Sequence, residues 1–510
     1  MFYLYLKDPL LGINLKMLWY LIILLRVVNF SQRIDHFDIR KRDSFNQTVI
    51  INEDYGNLSV SPVIFVIGDF EKLNGNPFPN GLLKIAKDTK SVILAVENRF
   101  FGSSKPNEGS IDDYFNYLTI DQSLYDISCI INTYFGSNGR KVLVVGSGVG
   151  GTLAAWFRLK YPHLSVASWS SSSPLLMTET FYQYDTQISK KITAISNDCF
   201  VETQKMLMEA DPIVFFNVSP FRNWLLDQFG IRSSLKNTSI VYILAESLGI
   251  IEKFEQSKGT LSKYCQMLKK EGNFETLATI LNMSLKYMNM EINNLDPYSA
   301  IGDERLKWYI QCTKIGLFHT YPPLGVPDSV RFRSMTIDSN FYRDVCIDLF
   351  GNYESFIDQT NLVFGSKEMK GNSMIFSYNL NDVFRPLGMQ YSNVRNDVHV
   401  FFGNTTSKNF DLVVDENNEP ENVKKTREII WERAKGFLID SCNSNCRHGK
   451  CVLGTCICHE GFEGMSCSDI VYSHKLINVL SMVGTLITTL IIIAVGLFLY
   501  KSLPPAFVSA

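Results

Sequence analysis

The sequence predicts an α/β fold: a covered parallel sheet, a long stretch of helical texture within it, and a small cysteine-rich module toward the C-terminal end. Three observations carry this. Short β-branched runs at 62–68, 91–96 and 142–145 alternate with stretches of helical period, the pattern of strands buried on both faces. From Leu175 to Tyr342 the texture changes to long segments, such as 186–209 and 259–290, with apolar residues at helical spacing and charges between them. Six of the 11 cysteines crowd into 442–467.

The sharpest local signal is 141–164, KVLVVGSGVGGTLAAWFRLKYPHL. An apolar strand runs into a glycine-rich turn and then into a helix, with Leu153, Ala154, Trp156, Phe157 and Leu159 crowding one side. Strand, sharp turn and helix are the frame of a nucleophile elbow, which lifts a serine above an α/β-hydrolase sheet. The same glycines also satisfy G-x-G-x-x-G, the dinucleotide fingerprint. That reading needs an acid at the end of the next strand. The next strand, 165–169, is followed by Ser170-Ser171-Ser172-Ser173-Pro174, so no cofactor is expected.

The elbow resembles the family of prolyl carboxypeptidase, dipeptidyl peptidase II and thymus-specific serine protease, whose members read G-G-S-Y-G-G-x-L-A-A-W-x-R-x-K-Y-P-H. Gly150, Gly151, Leu153, Ala154, Ala155, Trp156, Arg158, Lys160, Tyr161, Pro162 and His163 match in register. The resemblance covers 31–440. It opens at Gln32-Arg33-Ile34-Asp35-His36-Phe37, similar to Q-x-x-D-H-F, where His36 is a packing residue rather than a catalyst. Glu97-Asn98-Arg99-Phe100-Phe101-Gly102 is similar to E-H-R-Y-Y-G, with Asn98 in place of the histidine. Leu118 to Leu124 starts the helix before the central strand, and the loop after 62–68 is placed to supply an oxyanion-hole amide. The resemblance implies a helical cap over 175–342. There Trp308, Gln311, Cys312 and Thr313 are similar to W-x-x-Q-x-C-T, one residue shorter.

The resemblance also places the chemistry, and the chain departs from it. The nucleophile position falls on Gly148, with Ser147 one residue early. The triad acid falls on Asp382, in 378–384, unless that residue is a solvated loop aspartate. The base position falls on Lys408 and Asn409, ahead of Phe410-Asp411-Leu412. Acyl transfer by this route needs an activated hydroxyl, a base and a group that orients the base. Glycine accepts positive φ without steric cost, so Gly148 keeps the turn and removes the reaction. The alternative nucleophile is Ser147, with His399 or His319 as its base; His399 lies inside the strand 398–402 and reads as a core or edge histidine.

The ends and the cysteines set the context. A net charge of −2 gives no sign of nucleic-acid or acidic partners, and no nucleic acid is expected. Leu476 to Tyr500 holds 25 residues without a charge, enough to span a bilayer, and 501–510 is then an inner tail. The shorter apolar run 18–25 reads as a signal-peptide core within 1–30, with Met1 or Met17 as the start. Together they predict a type I single-pass membrane protein whose body faces outward or into an organelle lumen. Sequons at Asn46, Asn57, Asn237, Asn282 and Asn404 agree with export.

The run 456–467, C-x-C-x-x-G-F-x-G-x-x-C, resembles a short EGF-like module spanning 441–468. That resemblance implies the pairs Cys442–Cys451, Cys446–Cys456 and Cys458–Cys467, where spacing alone allows 15 connectivities. Zinc is the competing reading, set aside because an exported module is oxidised. No metal is expected. In the body, Cys199–Cys265 and Cys312–Cys346 are the expected bridges, leaving Cys129 as the free thiol. The reading is therefore a pseudopeptidase on a membrane that keeps its cleft to bind a peptide or protein. The alternative is an active serine-type exopeptidase with prolyl carboxypeptidase or dipeptidyl peptidase activity. The resemblance also implies a homodimer.

Overall fold

Eight strands form one sheet in the order β1-β2-β4-β3-β5-β6-β7-β8. They are β1 (Leu25–Arg33), β2 (Ser44–Asn52), β3 (Val63–Ile67), β4 (Val92–Val96), β5 (Val142–Ser147), β6 (Ala167–Ser171), β7 (Met374–Asn379) and β8 (Val398–Gly403). The pairs from β4 through β8 are parallel, while β1–β2 and β2–β4 are antiparallel. This is the α/β-hydrolase architecture the elbow predicts. The computed structural model describes residues 25–73, 77–136, 139–271, 273–327, 330–404, 409–414, 419–439, 446–452, 455–464, 467–470, 490–491 and 493–495.

The central strands are uniformly apolar because both sheet faces are covered. One face packs Val63, Phe65, Leu94 and Val144 against α2 (Ile120–Phe135) and α3 (Gly148–Lys160). The other packs Ile64, Ile93, Leu143 and Val145 against a layer that includes Leu82, Ile85, Ile430 and Phe437. The helices of that second layer are α1 (Asn80–Thr89) and a C-terminal helix, 421–438. α2 starts where the sequence places it: the Thr119 hydroxyl accepts the Gln122 N–H at 3.2 Å and caps the first turn.

The inserted helices are α4 (Gln183–Ile195), α5 (Asn197–Phe215), α6 (Phe221–Phe229), α7 (Asn237–Lys253), α8 (Thr260–Glu271), α9 (Phe274–Met288), α10 (Gly302–Ile310) and α11 (Ser339–Phe350). They close over a core of their own, which includes Ile188, Leu244, Tyr264, Leu281 and Cys346. Two disulfides cross it, Cys199–Cys265 and Cys312–Cys346, as expected. Cys129 carries the free thiol among the described residues, and burial raises its pKa to about 11. α12 (Ile357–Phe364) returns the chain to the sheet, where Phe364 stacks on Trp156 with centroids 4.2 Å apart. The C-terminal helix of the sheet layer is α13 (Glu421–Leu438).

The chain divides into two compact units, 1–438 and 439–510. In the second, β9 (Gly449–Val452) pairs with β10 (Thr455–Cys458), and β11 (Phe462–Glu463) with β12 (Asp469–Ile470). Cys446–Cys456 and Cys458–Cys467 are bonded, two of the three pairs that the EGF-like resemblance implies. Cys442 of the third pair lies outside the described residues, as do 1–24, Lys408 and 501–510. Residues 25–30, assigned to a leader by sequence, form the first part of β1. Of 476–500, only 490–491 and 493–495 are described. Among the described residues, no helix is long and apolar enough to cross a membrane.

Candidate active site

β5 ends at Ser147, whose backbone is still extended (φ −125°, ψ 152°), and the chain turns at Gly148 with φ +58°. The turn is tight: a Cβ on Gly150 would stand 2.5 Å from the Ile67 carbonyl oxygen at the end of β3. The elbow sits at the carboxyl edge of the sheet, where α/β folds place their sites. A nucleophile's Cβ at position 148 would stand 2.8 Å from Asp69 Oδ2. The space that a side chain at position 148 would enter is therefore bordered by a carboxylate.

Asp69 is aimed there by its loop. Its Oδ1 accepts the Phe70 N–H at 2.8 Å, and the Glu71 N–H reaches the Asp69 carbonyl at 2.7 Å. Buried Asn98, the residue that replaces a histidine, donates through Nδ2 to the carbonyls of Gly68 (2.7 Å) and Asp69 (3.1 Å). Its neighbours are structural too. Glu97 accepts from the N–H groups of Leu73 and Ser103, and Arg99 forks onto Asp126 with two 2.7 Å bonds. The His36 imidazole meets the same Asp126 at 2.6 Å, a packing role as the sequence implies.

The other two triad positions are accounted for differently. Asn409 is close to the elbow: the Ser147 hydroxyl donates to its Oδ1 at 3.1 Å. An amide oxygen accepts a hydrogen bond but does not take the proton. Lys408 lies outside the described residues. Asp382 is buried; it accepts the Ser172 hydroxyl on Oδ2 and the Phe384 N–H at 2.9 Å on Oδ1, which ties it to its own turn. The solvated-loop reading of Asp382 is thus corrected, because its carboxylate is turned inward to these donors.

Among the described residues, the Ser147 hydroxyl is bonded to Asn409 and to neither candidate imidazole. His399 pairs with Ile375 in the β7–β8 register, two residues before the row Ser147–Ser171–Ser377–Phe401. It is three strand spacings from β5, roughly 14 Å. Its Nε2 contacts Asp397 at 3.0 Å, and Arg433 holds Asp397 at 2.6 Å. His319 stacks on Tyr184 with centroids 3.5 Å apart, and its Nδ1 lies 3.1 Å from both oxygens of Glu246.

Three features escaped sequence reasoning. Asp411, two residues past Asn409, is fully buried beneath the sheet edge. It accepts Trp169 Nε1 at 2.8 Å, Ser171 Oγ at 2.7 Å and the Ser377 hydroxyl. Burial raises its pKa against these donors. In the cap, Arg333 forks onto Asp185 at 2.8 and 2.9 Å and faces Glu246 across 2.7 Å. Burial opposes charge on Glu246, but His319 and Arg333 overcome it and bring its pKa down to about 2.

The third feature is the lining of the cleft: the cleft is expected from the sequence, but its lining residues are not. The cleft has a volume of about 430 Å³ and runs from Asp69, Glu71 and Val149 at the elbow to Glu246, Lys307 and His319 of the cap. Burial works against the Lys307 ammonium, yet Glu304, Glu71, Asp69 and Glu246 hold its pKa above the ordinary lysine range. Among the described residues, no group of three His, Cys, Asp or Glu side chains is placed to hold a metal.

Comparison with known proteins agrees with this frame. The probable serine protease EDA2 of Arabidopsis thaliana is 25% identical over 390 residues, 71% of this chain and 76% of that protein. Mouse thymus-specific serine protease is 24% identical over 388 residues, 68% and 74% of the two chains. Human lysosomal Pro-X carboxypeptidase is 30% identical over 164 residues, 30% of this chain and 32% of its own. The family model described as serine carboxypeptidase S28 matches residues 32–430. The chain belongs to the serine carboxypeptidase S28 family.

Proposed function

We propose that this chain is a pseudopeptidase: an S28 member that binds a peptide or protein in the retained cleft without cutting it. The observation that carries the reading is Gly148, a residue with no side chain at the elbow position that presents the nucleophile. Asn409, set against Ser147, has no proton-accepting nitrogen to offer in place of a base. In a characterised serine protease, loss of nucleophile or base costs roughly a millionfold in turnover. The rival reading, an active exopeptidase working through Ser147, is favoured only by that hydroxyl's place beside the elbow.

A fluorophosphonate probe separates them. No labelling is expected of the wild type; labelling that disappears in Ser147→Ala would establish the enzyme instead. Proline-containing peptides that bind and are recovered intact support the cleft reading over a purely adhesive role for the EGF-like module. We place the body outside the cell or in an organelle lumen, held by a span at 476–500. Support comes from the uncharged length of that segment and the two module disulfides. The exposed sequon asparagines Asn46, Asn57, Asn282 and Asn404 add to it, and Asn237 is half-buried. Endoglycosidase sensitivity and alkaline extraction from membranes test this placement.

A further inference from the structure

The cap fills its own interior and still has large apolar side chains left over. At the corner where α5 gives way to α6, Val214, Leu225, Leu226 and Phe229 are buried in the cap core. Phe215, Phe216, Val218, Phe221 and Trp224 are not. Phe216 is 80% exposed, Phe221 59% and Trp224 43%. A single exposed apolar residue is ordinary, but five at one corner mark a contact site. Local bonding fixes the corner. Asn217 takes a left-handed φ of +50°, which asparagine tolerates, the Val218 N–H closes on the Ile213 carbonyl at 3.2 Å, and Pro220 stands at the start of α6.

We infer that this corner dips into the headgroup region of an electrically neutral lipid bilayer. Charge is the first reason. Residues 212–226, PIVFFNVSPFRNWLL, hold one charged side chain, Arg222. It is buried, and its guanidinium donates to Asn237 Oδ1 at 3.3 Å. The exposed charges nearby on α5 and α6 are of both signs, Lys205 against Glu209 and Asp227, so nothing draws the corner to anionic lipid. A bilayer interface accepts aromatic rings and resists charge.

Shape is the second reason. The corner between two helices is convex, and Phe216 stands clear of it with four-fifths of its surface bare. A protein partner would need a pocket matched to that ring, whereas fluid headgroups close around it. On the placement proposed above, a span at 476–500 keeps the chain at a bilayer, so this partner is present wherever the protein is. The inference rests on that placement and goes beyond it, because it gives the cap a lipid contact of its own. The sequon Asn217-Val218-Ser219 lies in the same stretch and is followed at once by Pro220. A glycan there would hold the corner off the lipid.

The test uses the full chain in proteoliposomes of phosphatidylcholine, with and without bromine on the acyl chains. Bromine quenches nearby tryptophan emission, and the difference between wild type and Trp224→Phe isolates Trp224. Brominated lipid should remove about half of that emission or more. Phe216→Asp with Phe221→Asp should abolish the quenching, with near-ultraviolet circular dichroism as the check on folding. Phe216→Ser, the milder change, should weaken it by about half. Added phosphatidylserine should leave it unchanged. Unquenched Trp224, quenching that survives the aspartates or grows with phosphatidylserine, or a glycan on Asn217 in the intact mass overturns the inference. So does self-association in detergent that the aspartates abolish, which assigns the corner to a second copy. Alkaline extraction reports on the span separately. If alkali releases the chain, the span reading falls alone, and the same quenching is expected when the chain is added to preformed vesicles.

Discussion

At Gly148 the backbone enters the left-handed region at φ +58°, and a Cβ there points at the Asp69 carboxylate. An L-residue in that region costs about 1–2 kcal/mol, and the 2.8 Å approach adds to it. Gly148→Ala should therefore destabilise the hydrolase unit by about 1–3 kcal/mol, read by urea unfolding. Gly148→Ser should restore a hydroxyl without restoring reaction, because Asn409 is not a base. Fluorophosphonate labelling should stay at background in that variant and rise only when Asn409→His is added. Labelling by the single variant would show that another group supplies the base.

Glu246 carries a pH signature at the same scale. Its folded pKa of about 2 lies below the ordinary 4.5. Its contribution is thus complete above the unfolded pKa and is lost as pH falls from 4.5 toward 2. At about 1.4 kcal/mol per pH unit, the whole shift amounts to about 3 kcal/mol. Glu246→Gln should flatten stability in that acid window, and an unchanged slope would refute the assignment. Asp411 has the opposite sign: its folded pKa is raised, so its contribution is present at low pH and fades as pH rises above 3.8.

Among the elements, the cap depends on long-range staples. Cys199–Cys265 ties α5 to α8 across a separation of 66 residues. Closing a loop of that size in the unfolded chain is worth about 4 kcal/mol in the chain-entropy picture. Cys199→Ser with Cys265→Ser should lower the cap's unfolding midpoint by a corresponding amount in calorimetry. A shift within error would mean that the cap core is sufficient without the bond. The cap's charged lock was not legible in the sequence for a related reason. Arg333 and Asp185 stand 148 residues apart and meet only when α4 and the segment before α11 fold together. Runs such as Val142–Val145 were legible because burial on both faces leaves a local, unbroken apolar stretch. β1 was not, because an edge strand with alternating exposure blurs into the apolar run before it. The elbow was legible from its glycines, whereas the aim of Asp69 was not. That aim is set by Asn98, a residue 29 positions away that the sequence marks only as a replaced histidine.

For the molecule as a whole, the sheet and cap carry their own buried cores within 1–438. A chain cut after Leu438 should unfold at the same temperature as the hydrolase transition of the full protein, to within a few degrees by calorimetry. A large drop would show that the second unit contributes to the stability of the first.

The carboxylate beside Gly148 also bears on history. Any residue with a Cβ that returns to position 148 meets Asp69 at 2.8 Å before it meets a base. On the proposed reading, hydrolysis would therefore take coordinated change at two sites on different loops, 148 and 409, with no gain from the first step alone. On that reading the elbow works as a ratchet, since neither substitution by itself would bring cleavage back.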